Sequence, residues 1–378
     1  MKKLTKLFFE DLFLLLGWHT NRRFVVFESD DWGSIRMPSK STFDYLLARG
    51  YPVNENHYSK YDSLETADDY IELFNVLSAV KDLVGNSAIF TANYVAANPD
   101  FEKIRLHQFK EYYHEGFPET YNHYSKCKNN LEIIKQGLNY NLLLPQSHGR
   151  EHLNVPDWMA ALKRKEKVAH IGFESNMFTI PQKINGRITN PNVDALYYNT
   201  NNAKDEVLST VAEGLRLFKN QWGFFSKSFM APGYIWNEEI EATLHAQGVD
   251  IIQGVTIQLK PSNREGIRYV KNYHFTGQKN KIRQTYIVRN SFFEPSENPY
   301  KDWVNTCLND ISRAFRFKKP AIIQSHRVNY IGSIDNANRT RNLFLLKKLL
   351  VEIIRKWPDV EFISSVQLGD VINATGKD

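Results

Sequence analysis

Short apolar runs rich in β-branched and aromatic residues alternate along this chain with stretches of helical period, and that alternation limits the folds open to it. The runs lie at 24–27, 88–92, 142–145, 169–173, 228–231, 250–254, 321–324 and 361–364. Between several of them lie helical stretches at 67–83, 158–167, 204–222, 238–247, 300–315 and 339–356. The last carries apolar residues at 343, 346, 350, 353 and 354, the period of a helix with one buried face. Such alternation predicts a parallel sheet with helices outside it, either a closed barrel or a doubly wound sheet. Eight runs favour the barrel, and the fold class expected is α/β, a (β/α) barrel.

The 378 residues would divide into two or three domains of ordinary size, but β/α barrels of this length form a single unit. No linker rich in Pro, Gly or Ser interrupts the chain, and no repeat recurs at a fixed period. Residues 1–378 are therefore read as one domain. Two stretches lack clean periodicity and are rich in tyrosine and histidine: 98–140, with Tyr112, Tyr113, His114, Tyr121, His123 and Tyr124, and 256–299, with Tyr269, Tyr273, His274 and Tyr286. Both are expected to be long insertions in the barrel loops, of the kind that carries function. Their aromatic rings could offer flat apolar faces to a ligand or simply pack.

A net charge of +6 is mild and dispersed, and does not call for nucleic acid. The only two cysteines, Cys127 and Cys307, cannot build a disulfide framework and fit a reducing, cytoplasmic setting. Lys2, Lys3 and Lys6 precede an apolar run from Leu7 to Leu16 that resembles a leader. Glu10 and Asp11 interrupt it, and no small-residue cleavage site follows. Residues 5–17 are read instead as an amphipathic helix closing the bottom of the barrel. No stretch reaches the ~20 apolar residues of a spanning helix.

Chemistry gathers where apolar runs end. The first run leads into Asp30, Asp31, Trp32 and Gly33. Two adjacent carboxylates after a buried strand are costly unless used. A metal could take one and leave the other as a base, although Asp and Gly also make plain turns. In LLLPQSHGREHL, His148 and His152 lie four apart, which on a helical turn puts both imidazoles on one face. Two imidazoles can hold Zn²⁺ with a carboxylate and water completing the shell. Pro232-Gly233-Tyr234 follows the run at 228–231, and His326 follows the run at 321–324; each alone reads as structural.

In this order the pieces resemble the polysaccharide deacetylase family, the carbohydrate esterases that include chitin and peptidoglycan deacetylases. The family's fold is a distorted β/α barrel, and its reaction is metal-dependent hydrolysis of N- or O-acetyl groups on sugars. The resemblance spans roughly residues 24–370. It implies that Asp30 is the catalytic base and that Asp31, His148 and His152 are the metal ligands. Gly149 stands where the family's second motif has Ser or Thr. Met230-Ala231-Pro232-Gly233-Tyr234 stands for the third motif, and His326 in Gln324-Ser325-His326 for the general acid. The stretch 88–95 resembles the family's second strand, and 362–368 its last strand and helix start.

The departures are informative. Met230 stands where the family has an arginine that orients the catalytic aspartate, and methionine donates no hydrogen bond. Arg150, beside the metal histidines, and Arg327, beside His326, are the candidate replacements, in that order. The tryptophan expected under the last histidine is not evident near residues 250–255. Trp32, Pro232, Gly233, Tyr234, Arg150 and Arg327 are read as substrate-binding.

The implied chemistry is a divalent metal, Zn²⁺ first and Co²⁺ or Ni²⁺ next, activating water. Asp30 takes the water's proton, a backbone N–H near Gly233 or Tyr234 steadies the oxyanion, and charged His326 protonates the leaving group. The expected partner is an acetylated saccharide. Two alternatives stay open. One is a glycan-binding homologue with a dead site, which Met230 raises; the other is a different barrel hydrolase such as a glycosidase.

Overall fold

The computed structural model describes residues 11–262 and 266–375. Nine parallel strands form one sheet: β1 (Arg23–Trp32), β2 (Phe90–Tyr94), β3 (Leu143–Ser147), β4 (Ser228–Met230), β5 (Ile251–Gly254), β6 (Thr285–Val288), β7 (Ser291–Phe292), β8 (Ala321–His326) and β9 (Val360–Phe362). Their order is β6-β5-β4-β3-β2-β1-β8-β7, and β9 pairs with the first residues of β1. The two edge strands are consecutive in sequence, joined only by Arg289 and Asn290. Asn290 bonds Ile322 of β8 through both its N–H and its side-chain oxygen, which draws the sheet round into a barrel. With helices outside, this is the α/β barrel that the alternation predicts.

Strand residues alternate between two faces. On β1, Phe24 and Val26 point into the barrel with Ile251, Ile287 and Ile322, and helix Ser365–Thr375 plugs this lower layer with Leu368 and Ile372. That helix closes the bottom. Of the helix expected over 5–17, residues 5–10 lie outside the described residues; 11–14 are helical, and Trp18 caps the plug by donating to Thr375. Val25 and Phe27 face outward into the largest core, with Leu346, Leu349, Leu350 and Ile353 of helix Asn336–Lys356. Burial on both faces explains why these strands read as unbroken apolar runs.

Three expectations need correction. The run at 169–173 is not a strand but part of helix Lys167–Glu174, whose Phe173 packs on Phe101 and Trp158. A short apolar run does not separate the two states by period alone. The stretch 98–140 is largely ordered, with helices Phe101–Leu106, Phe117–Asn122 and Asn130–Asn139. The stretch 256–299 is not wholly an insertion. Its hairpin, Ile257–Pro261 with Tyr269–Tyr273, is an addition, but β6 and β7 belong to the barrel. Four- and two-residue strands are too short to show a period. Both cysteines are buried free thiols. Among the described residues, no helix is long and apolar enough to cross a membrane.

Candidate active site

The upper layer of the barrel replaces apolar side chains with charged ones. Glu28 and Asp30 follow Phe24 and Val26 on the inward face of β1, two residues apart each time. Both are buried. Their shared partner is Arg289, the first residue after β6. Its Nη1 and Nη2 donate to the two Asp30 oxygens at 2.7 Å each, and its Nε to Glu28 at 2.6 Å. Asn93, on β2, gives Asp30 a third donor at 2.7 Å. Burial alone would raise the Asp30 pKa, but Arg289 overrides it and holds the carboxyl far below its ordinary range.

The arginine that meets Asp30 is Arg289. Arg150 and Arg327 do not reach Asp30. Arg150 is committed to Glu151 at 2.7 Å and Glu213 at 2.5 Å. Arg327, fully buried, is tied to Asp62 and Glu65 at 2.6–3.1 Å. A cation placed directly after a buried strand was the sequence signal for Arg289. The four residues of β6 are too few to show a strand by period, so that signal is silent in the sequence.

Strict alternation would send Asp31 to the outer face. Instead the pairing of β1 with β2 shifts register between Ser29 and Trp32, and Asp31 adopts a left-handed φ of 74°. That conformation costs a non-glycine residue ~1–3 kcal/mol and tends to persist at functional sites. The turn brings Asp31 Oδ1 to 3.5 Å from His148 Nε2 and 3.7 Å from His152 Nε2. One ligand atom from each residue lies within 4.8 Å of the others. These gaps are long for hydrogen bonds. Tetrahedral bonds of ~2.0–2.2 Å to a zinc-like ion would set ligand atoms ~3.3–3.6 Å apart. The donor set, one carboxylate and two imidazoles, suits the same ion.

The two histidines are not on a helical turn as expected. His148 follows β3 directly, and Gly149, with φ of 92°, lets the chain double back so that His152 returns to the site. His148 Nδ1 bonds the Met230 carbonyl oxygen at 2.8 Å, which fixes the tautomer and leaves Nε2 its lone pair. Position 230 thus serves the site through its backbone, and its apolar side chain is buried. His152 is pushed down to about 3, by burial first and then by Arg36, so its imidazole is a neutral donor. Arg36 donates to Asp31 Oδ1 at 3.1 Å. Burial would raise Asp31, but the Arg36 guanidinium beside it is the largest opposing influence and holds it well below its ordinary range.

His326 ends β8 directly across from Asp30 in the strand register. Its Nε2 lies 3.7 Å from Asp30 Oδ2, and its Nδ1 bonds Glu294 at 2.6 Å. Asn329 fixes the other Glu294 oxygen at 2.7 Å. Burial would lower the histidine's pKa, yet Glu294, Asp30 and Asp31 together raise it to about 9. His326 is therefore charged at neutral pH. The folded value exceeds the ordinary 6.5, so the ion pair stabilises the fold fully below about 6.5 and loses that effect as pH rises through about 9. Glu294→Gln should bring the basic limb of the pH–activity profile down by about one to three units. An unmoved limb would mean that His326 is not the group reporting there.

The remaining expected residues divide. Gly233 and Tyr234 turn the chain at the end of β4 with φ of 64° and 59°. Pro232 is buried and Gly233 exposed. The Tyr234 N–H, expected to face an oxyanion, is engaged with the Ala231 carbonyl at 3.0 Å. Trp32 is not a substrate contact: it is buried, stacked on Tyr70, and bonded to Ser29. Among the loop aromatics, Tyr121 joins a buried cluster on Glu65, and Tyr286 lies in β6 bonded to Glu241. Neither offers a ring to a ligand. Arg36, His57, Tyr58, Arg289 and Glu294 are site residues that the sequence reading missed.

No family model matches this chain, and no curated protein matches it. Solved structures do. PuuE allantoinase aligns with a TM-score of 0.48 at 9% identity, over 96% of this chain and 94% of that one. The 4-alpha-glucanotransferase of Thermococcus litoralis aligns with a TM-score of 0.46 at 7% identity, over 94% of this chain. The chain spans 41% of that larger protein. A family 4 carbohydrate esterase of Streptomyces lividans, in complex with acetate, aligns with a TM-score of 0.37 at 9% identity, over 92% of this chain and 95% of that one.

Proposed function

We propose that this chain is a metal-dependent hydrolase that removes acetyl groups from a carbohydrate. One observation carries the reading. A three-ligand set, Asp31, His148 and His152, converges at the barrel mouth beside an ionised aspartate that faces a charged histidine. Metal, base and acid are the three parts such a hydrolysis needs. The motif order read from the sequence supports the same reaction class. A metal bound by those three residues would supply a water of lowered pKa and polarise the acyl oxygen.

The chain's own residues do the rest. Asp30, held by Arg289 and Asn93, is a carboxylate across the working range and accepts the proton of the attacking water. Fixing it this way gives certainty of protonation state at some cost in basicity. His326, charged through Glu294, gives its proton to the departing sugar nitrogen or oxygen, so the C–N or C–O bond breaks without expelling a bare anion. With Asp30 3.7 Å from His326, the proton gained by one can return to the other.

Arg289 also bears on the dead-site alternative, because it supplies the contact whose absence at Met230 had raised it. The test is acetate release from acetylated saccharides by chelator-stripped protein, alone and after reloading with Zn²⁺, Co²⁺ or Ni²⁺. Acetate release only in the reloaded protein is the expected result. Full activity in the stripped protein would point to a metal-free hydrolase. Metal binding without acetate release from any substrate would favour the glycan-binding alternative.

A further inference from the structure

The wall between the metal ligands and the acid is built by residues that follow β1. The short helix His57–Tyr61 is capped by Asn56, whose side-chain oxygen accepts from the N–H groups of Tyr58 at 2.9 Å and Ser59 at 3.3 Å. That cap fixes where Tyr58 points. The ring of Tyr58 meets the His326 imidazole edge-on, with centroids 5.4 Å apart at 82°. On its other side the Arg36 guanidinium lies 5.9 Å from the ring centroid, and that same guanidinium donates to the metal-ligand candidate Asp31. The His57 ring lies 4.1 Å away and backs it. Tyr58 thus spans the gap between the metal half and the acid half of the site.

Its hydroxyl is the unusual one. The neighbouring tyrosines are all engaged: Tyr234 with Gln324, Tyr330 with Ser325, and Tyr70 and Tyr94 with one another. Among the described residues nothing bonds the Tyr58 hydroxyl, and it is not one of the sealed, unpartnered polar atoms of the interior. It is therefore not sealed in the interior, and it sits on a ring that meets both His326 and the Arg36 that bonds Asp31. Of the backbone N–H groups expected to steady the oxyanion, that of Tyr234 is engaged within its own turn.

We propose that the Tyr58 hydroxyl is the hydrogen-bond donor to the acyl oxygen as that oxygen gains charge during hydrolysis. This rests on the hydrolase reading above. Water adds to the acyl carbon and gives a proton to Asp30 while the carbonyl π pair moves onto oxygen, and Tyr58 donates a hydrogen bond to that oxygen without giving up its proton. When the pair returns, the bond to the sugar nitrogen or oxygen breaks, and the leaving group takes its proton from His326. Acetate and the free amine or alcohol result. Burial, together with the nearby Glu294 and Asp31 carboxylates, pushes the phenol well above its ordinary value, so it remains a donor at any working pH.

The variant is Tyr58→Phe, which removes an unpartnered hydroxyl and strands no buried group. Three readouts are taken on zinc-loaded protein: kcat and KM for acetate release from tetra-N-acetylchitotetraose, Kd for acetohydroxamate by calorimetry, and bound metal with Tm. One oxyanion donor is worth roughly 10²–10³-fold in kcat. The expected result is a fall of that order with KM nearly unchanged, and acetohydroxamate binding weaker by roughly tenfold or more. Metal content and Tm should match wild type. A rise in KM alone would overturn the proposal, since Tyr58 would then contact only the ground state. Should wild type release no acetate, the hydrolase reading fails separately, and equal acetohydroxamate affinity in both proteins would still refute the role of Tyr58.

Discussion

Asp30→Asn should leave bound metal at the wild-type level and lower turnover by about 10²–10⁴-fold, the usual contribution of a positioned base. Asp31→Asn should do the reverse at first sight, releasing metal and losing activity as a consequence that added zinc partly restores. The two are neighbours in sequence, yet the backbone turn at Asp31 separates their partners. Asp30 faces Arg289, Asn93 and His326, whereas Asp31 faces His148, His152 and Arg36. An amide at position 30 still accepts from Arg289 through its oxygen, so the fold should tolerate it. Metal content by elemental analysis, set beside acetate release, checks both. Equal loss of metal in the two variants would mean that both carboxylates are ligands and that the base lies elsewhere.

Arg289→Met should produce the largest combined loss. The arginine is fully buried and neutralises two carboxylates, Glu28 and Asp30, that are themselves buried. Removing the cation leaves those charges uncompensated, a defect worth about 3–5 kcal/mol. The carboxylates would respond by taking up protons. Burial already raises Glu28 even with Arg289 in place, so it should protonate first. Activity should fall at least as far as in Asp30→Asn, because the base would be misplaced and partly protonated. Pairing the change with Glu28→Gln separates the effects: stability should recover in part, since one buried charge is gone, while activity should not. Chemical denaturation together with acetate release checks this, and full activity in Arg289→Met would remove Arg289 from the mechanism.

The barrel class was legible because buried parallel strands must be apolar on both faces, so seven of the eight candidate runs coincide with strands. The exception, at 169–173, shows the limit of the method. Its apolar residues pack as one face of a short helix, and five residues do not distinguish that face from a strand. β6 and β7 were invisible for the opposite reason: they are held by pairing with β5 and β8, and little in four or two residues announces them.

The site divides along the same line. Asp30, Asp31, His148 and His326 were readable because each stands where an apolar strand stops, and a polar group at that place needs a purpose. His152 was readable from its spacing, although the reason was wrong: a left-handed glycine, not a helical turn, brings it back. What only the tertiary structure decided was the choice of partners. Arg289 lies 259 residues from Asp30, and Glu294 lies 32 residues from His326. Closing the barrel between β6 and β7 is what carries Arg289 inward. Local sequence dictates which residues sit at strand ends, since burial and backbone period act over a few residues. Which cation meets which carboxylate depends on the order in which the strands close into a ring, a property of the whole sheet that no short stretch of the chain contains.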